Sequence, residues 1–218
     1  SGTFKDCASL SEIVIPAAVE ELGTDVFRGC TSLKRAAFSN GSKVAALTSG
    51  LFGDCTSLSS LTLPSALSVI YDKVFENCRE LRQFRIPSAV YYIGSEAFKG
   101  CRSLEEATLS SSLNYLGDGA FEGCASLASI ALPSSLASLP ASLLEGCTSL
   151  SEIVIPQNVT SIGNAFAAGC TSLTEFTVRN GVTSVGRGIL AGCTQVERLT
   201  LPFLGASASG ASTLGYLF

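Results

Sequence analysis

The sequence predicts an α/β repeat: a solenoid of about nine coils, with a parallel β-sheet on one face and short helical turns opposite. Three observations carry this. Cys7, Cys30, Cys55, Cys78, Cys101, Cys124, Cys147, Cys170 and Cys193 recur every 23 residues, with one interval of 25, and self-similarity at such a period marks stacked coils. Six of the seven prolines fall in a single column of that repeat. The residue before each Cys is always Gly, Asp or Asn.

Counting from Cys as position zero, each column has a physical reading. Positions plus six and plus eight hold apolar pairs such as Ile13/Ile15, Leu61/Leu63, Phe84/Ile86, Ile130/Leu132 and Ile153/Ile155. Their period of two predicts a short strand with one buried face. The strand stops at plus nine, where Pro16, Pro64, Pro87, Pro133, Pro156 and Pro202 lack the N–H needed to continue a ladder. Apolar residues follow at plus twelve and plus fifteen, with Gly commonly at plus sixteen, as in Leu113 and Leu116-Gly117. Phe then occupies minus three, on what is expected to be a helical turn. Its C-terminal cap is the Gly, Asp or Asn at minus one, residues that tolerate positive φ. The Phe column slips at Ala167, where Phe166 sits one residue early, and a locally rewound turn is expected there.

Composition fits a stack. Of 218 residues, 46% are hydrophobic and only 15% charged, against about 25% charged in an average soluble domain. A 23-residue unit cannot bury its own apolar face, so neighbours must cover it. At roughly 4.8 Å per coil the nine coils predict a rod on the order of 40 to 45 Å long. The chain has no His, which removes Ser-His-Asp and Cys-His catalysis and the commonest zinc ligand. A net charge of -4 argues against nucleic acid or anionic lipid as partners. With no Met, the chain is expected to be a piece of a longer protein. Its first coil, which shows no cap, is expected to meet further repeats or a stacked partner.

The run from Leu81 to Cys101 reads Leu-x-x-Phe-x-Ile-Pro-x-x-Val-x-x-Ile-Gly-x-x-Ala-Phe-x-x-Cys. This pattern resembles the BspA-type leucine-rich repeats of bacterial and protist surface proteins, and the resemblance covers about residues 4 to 202. It implies a right-handed leucine-rich-repeat solenoid used for adhesion or partner binding, and a cell-surface or secreted location. Residues 1–202 are expected to form this solenoid, and the uncharged 203–218 a C-terminal cap, a join to another domain or, less consistently with its Gly and Ser content, an anchor.

Departures from the repeat are where a recognition site is expected. The 25-residue interval places its extra residues near Asn40-Gly41, so a loop should protrude there, either for binding or as a tolerated turn insertion. Arg82 and Arg85 share one strand, beside Arg79 and Arg102, and the next coil carries Glu105 and Glu106. Arg82 stacks under Glu105, so ladder charge compensation competes with a binding role. Glu152 and Glu175 fall in register on neighbouring coils, with Arg198 one coil further on. Tyr92 and Tyr115 share position plus fourteen, with Tyr91 beside the first, and read equally as interface anchors or as an edge packing ladder.

The cysteines form no Cys-x-x-Cys motif, and one thiol per coil gives no tetrahedral cluster. Parallel ladders point their Cβ atoms the same way rather than at each other, so a ladder of buried, reduced thiols is expected, which equally suits a reducing compartment. No cofactor or metal is implied. No membrane insertion is expected, because the 22 uncharged residues from Gly123 to Leu144 contain Pro133 and Pro140 and follow the coil pattern. The sequence therefore reads as a non-catalytic module that binds a protein or glycan partner through its sheet face, at Arg82, Arg85, Glu106, Glu152 and Glu175, with Tyr92, Tyr115 and Asn40 at the margins. The rival reading is an architectural subunit packed through its ends.

Overall fold

A computed structural model describes residues 1–202, so the 203–218 tail lies outside the described residues. Each coil contributes a front strand of two to four residues and, from the second to the eighth coil, a two-residue lateral strand. Numbered in chain order, the front strands are β1 (Glu12–Ile15), β2 (Arg35–Phe38), β4 (Ser60–Thr62), β6 (Gln83–Arg85), β8 (Glu106–Thr108), β10 (Ser129–Ile130), β12 (Glu152–Val154), β14 (Glu175–Thr177) and β16 (Arg198–Thr200). The lateral strands are β3 (Ala46–Leu47), β5 (Val69–Ile70), β7 (Tyr92–Ile93), β9 (Tyr115–Leu116), β11 (Ser138–Leu139), β13 (Ser161–Ile162) and β15 (Ser184–Val185). Every pairing is parallel and joins equivalent residues of successive coils, as in Phe84 with Ala107 and Tyr92 with Tyr115. The front ladder is interrupted between β4 and β6 and again between β10 and β12, and the lateral ladder between β9 and β11.

The prolines act as expected and also open the next turn. The carbonyls of Pro16, Pro64, Pro87, Pro133 and Pro156 each accept the amide three residues on, at 3.0 to 3.2 Å. Ser110, in the same slot, keeps that turn and tucks its hydroxyl against the Ser88 carbonyl at 2.7 Å. In the longer interval Asn40 and Gly41 are exposed, while Ser42 folds back and is buried.

The expected helical turns are absent from the described residues; the segment opposite the front sheet is a stack of tight turns. Two causes can be named. Left-handed residues occur twice per coil, at minus one as expected and also at minus five, for example Asp25 and Gly29, Lys73 and Asn77, Glu96 and Gly100. A helix cannot run through such residues. Alternate amides also donate to the next coil rather than along their own: Asp25, Phe27 and Gly29 bond to the carbonyls of Ser49, Leu51 and Gly53 at 2.8 to 3.0 Å. Between them, Arg28 and Cys30 close i to i+3 turns on Asp25 and Phe27.

One core runs the length of the stack. Phe4, Phe27, Phe52, Phe75, Phe98 and Phe121 stack ring on ring with centroids 5.1 to 5.8 Å apart. The slip at Phe166 involves no rewinding, contrary to expectation. Phe166 and Ala167 are both fully buried, and Ala167 donates to the Ile189 carbonyl as Phe121 does to Leu143. Minus four and minus three both face inward, so the aromatic ring has only exchanged places. Cys30 to Cys193 are buried and Cys7 is exposed, all with free thiols. Each buried thiol donates to the minus-three carbonyl of the preceding coil at 3.1 to 3.3 Å, as Cys55 does to Phe27 and Cys124 to Phe98. No helix among the described residues is long and apolar enough to cross a membrane.

Candidate functional site

Strand alternation decides what the front sheet shows to solvent. On β8, Glu106 and Thr108 are exposed and Ala107 between them is buried. The same rule exposes Gln83 and Arg85 on β6, Glu152 and Val154 on β12, and Glu175 and Thr177 on β14. These side chains are free of any packing duty, which is the condition for a site grafted onto a repeat.

Their charges differ in how they are used. Arg82, just ahead of β6, pairs with Glu105 of the next coil at 3.0 Å. Both side chains are mostly exposed, so the pair contributes about 1 kcal/mol or less. Glu175 stacks on Glu152 but pairs with Arg198 at 2.6 Å, which offsets the repulsion from one side. Arg85, Glu106 and Glu152 have no ion-pair partner among the described residues.

Two shallow depressions lie under these groups. One, of about 440 Å³, spans the interruption between β4 and β6 and is lined by Leu61, Gln83, Phe84, Arg85, Glu106 and Thr108 among others. The other, of about 630 Å³, lies over β12 and β14 and includes Glu152, Val154, Glu175, Thr177 and Arg179. The five front-face residues singled out from the sequence thus fall at two places, three coils apart, with Arg85 and Glu106 in the first and Glu152 and Glu175 in the second. Arg82 lies at the rim of the first strand group, tied to Glu105.

The tyrosines are elsewhere. Tyr92 and Tyr115 stand on the lateral sheet, stacked with centroids 4.5 Å apart and planes within 5°. Burial, then the neighbouring Tyr115 and Asp72, push the Tyr92 hydroxyl above its ordinary pKa. Tyr71, which the sequence reading did not single out, joins them at 5.9 Å from Tyr92. Its only signal was an aromatic residue in the Gly column at plus sixteen. Tyr71 and Tyr115 are exposed on either side of the half-buried Tyr92, and Tyr91, next in sequence, is exposed as well. Asn40 lies in the connection from β2 to β3 and belongs to neither group.

The charged spine of the turn face also went unread. Arg28 reaches Asp54 at 2.7 Å and, two coils up, Glu76 at 2.8 Å. It passes over Gly53, where a Cβ would sit 3.0 Å from its guanidinium. Lys73, Glu96, Lys99 and Glu122 continue the array at 2.9 to 3.1 Å. Lys99, and with it Lys73, holds the Glu96 carboxyl below its usual pKa against the opposing effect of burial. Alternating signs at minus two, Arg28, Glu76, Lys99, Glu122, were the available clue. Because these charges satisfy one another, the spine is structural. Among the described residues no three His, Cys, Asp or Glu side chains gather as a metal ion would require.

The geometry can be set beside known proteins. The family described as BspA type leucine rich repeat region matches in six copies, over residues 1–124 and 68–197. A leucine-rich repeat protein from Bacteroides ovatus is 29% identical, superposes with a TM-score of 0.85, and covers 91% of this chain. The match takes in 51% of that protein, so the chain spans about half its length. The T. pallidum leucine rich repeat protein is 32% identical with a TM-score of 0.69, over 75% of this chain and 78% of its own. The pneumococcal vaccine antigen PcpA, at 20% identity and a TM-score of 0.53, covers 90% of this chain and 59% of its own and shares the fold. No curated protein matches the chain.

Proposed function

From the premise that the chain belongs to the family of BspA-type leucine-rich repeats, we propose that it is a non-catalytic binding or adhesion module that recognises a protein or glycan partner through its front sheet. The observation that carries this reading is the unpaired state of Arg85, Glu106 and Glu152 beside two open depressions, while the charges of the turn face are consumed in ion pairs. Exposed, hydrated charges contribute little to the stability of the fold, so these positions are open to a partner of complementary charge. Recognition works by surface complementarity, with Arg85 and Glu106 as one polar pair and Glu152 and Glu175 as an acidic one. A cell-surface or secreted location is part of this proposal, in keeping with membership of the BspA-type family. The partner is not a nucleic acid, on the acidic balance of the chain.

The test is binding of the whole chain to a glycan array and to a panel of purified extracellular proteins, followed by titration of whatever is retained. Arg85→Glu and Glu152→Lys are expected to weaken binding at least about tenfold with the circular dichroism unchanged, the loss typical of a charge inside an interface. Binding that survives both variants rejects the front face as the site.

A further inference from the structure

We propose that Tyr92 and Tyr115 form an oxidative cross-linking site, at which a peroxide-driven one-electron oxidant joins two adjacent coils through an ortho–ortho carbon–carbon bond. The geometry is that of radical coupling. Near-parallel rings with centroids 4.5 Å apart hold the two phenols face to face in contact. The amides of Tyr115 and Gly117 donate to the carbonyls of Tyr91 and Ile93, at 3.3 and 2.8 Å, which locks the register that brings the rings together. Holding two reactants in place makes the coupling effectively unimolecular. Other aromatic pairs fail one condition each. The stacked Phe ladder carries no phenol, and Tyr71 is tilted by 56° at 5.9 Å from Tyr92.

The composition leaves the oxidant few other targets. The chain has no Met, no Trp and no His. Eight of the nine cysteines are buried, leaving Cys7 exposed. Tyr115 is 46% exposed and so within reach of a diffusing oxidant. In the reaction each phenol gives up one electron and one proton, and the two phenoxyl radicals join at ortho carbons. The two ring protons then shift to oxygen and restore the phenols. The pair loses two hydrogens in all, and one hydrogen peroxide accepts them and becomes two waters. The product would fasten β7 to β9 in the middle of the stack.

The test treats the full chain, with Cys7 alkylated, with a heme peroxidase and limiting hydrogen peroxide. Blue dityrosine emission should develop with a yield independent of protein concentration, and the chain should stay monomeric on a denaturing gel. Trypsin should release residues 86–99 joined to residues 103–179 with the loss of two hydrogens. Tyr92→Phe and Tyr115→Phe should each cut the yield at least about tenfold, the loss of the intramolecular advantage, while Tyr71→Phe and Tyr91→Phe should leave it unchanged. Coupling that is intermolecular, that involves Tyr71, Tyr91 or Tyr216 instead, or that fails while free tyrosine in the same mixture couples, overturns the proposal.

Discussion

At Cys55 the thiol donates to the Phe27 carbonyl of the coil below, while its amide bonds to Phe52 in its own coil. The Phe52 carbonyl in turn receives the Cys78 thiol, so one small side chain both fills the core and stitches two coils. Burial pushes the Cys55, Cys101 and Cys147 thiols up to about 12. An unfolded thiol ionises near 8.5, so above that pH the unfolded chain releases protons that the folded chain keeps. Stability is therefore full below about pH 8.5 and falls as pH rises toward about 12, by up to roughly 1.4 kcal/mol per pH unit for each such thiol. Urea unfolding at a series of alkaline pH values should show this slope, and Cys101→Ala should reduce it by one proton's worth. In the folded state at neutral pH, thiol titration should find Cys7 reacting at once and the other eight only on unfolding.

The turn segment is the element in which two glycine columns do different work. Gly123 has φ of +71°, and a Cβ there would meet the Cα and nitrogen of Gly100 at an ordinary 3.7 Å. Gly117 has no such φ, but its Cβ would collide with the Ser95 amide nitrogen and lie 2.7 Å from Ser95 Cα. The first glycine is needed for conformation and the second for the approach of two backbones. Gly123→Ala should therefore cost about 1 kcal/mol. Gly117→Ala must push neighbouring coils apart, and should cost about 3 kcal/mol or more, the upper range of overpacking. The midpoint of urea unfolding at constant m-value separates the two cases.

For the whole molecule the governing fact is that coils contact chiefly their immediate neighbours, with the Arg28–Glu76 ion pair reaching one coil further, so stability is close to a sum of units and of interfaces between them. Phe98 serves two interfaces, with ring centroids 5.2 Å from Phe75 and 5.1 Å from Phe121, and Phe84 wedged at 4.8 Å. Phe4 stacks on Phe27 alone and is 43% exposed. Phe98→Ala should cost about 3 to 5 kcal/mol, whereas Phe4→Ala should cost about 1 kcal/mol or less. Because the coupling is local, the loss at Phe98 should also divide unfolding into two steps, read as separate transitions by fluorescence and circular dichroism.

The period, the place of each front strand, its stop at proline and the left-handed residue before Cys are all legible in the sequence, because each depends on residues within one repeat, whereas the lateral strands were not foreseen. Register follows too, since equivalent positions of successive coils must pair. The exposure of the proposed front-face residues is readable to the same extent: alternation puts Arg85, Glu106, Glu152 and Glu175 on the solvent side. What only the tertiary structure decided involves partners a full coil or more away. The turn segment is not a helix because amides such as that of Phe27 find the Leu51 carbonyl 24 residues on, a partner that exists only once the next coil has docked. Left-handed residues at minus five include Lys73, Glu96 and Ala165, side chains that give no local warning of such a backbone. Arg28 finds Glu76 by crossing the space left by Gly53, and Tyr71 joins Tyr92 from a different column of the repeat. A repeat sequence announces what each coil is, and stacking alone decides which side chains of different coils meet.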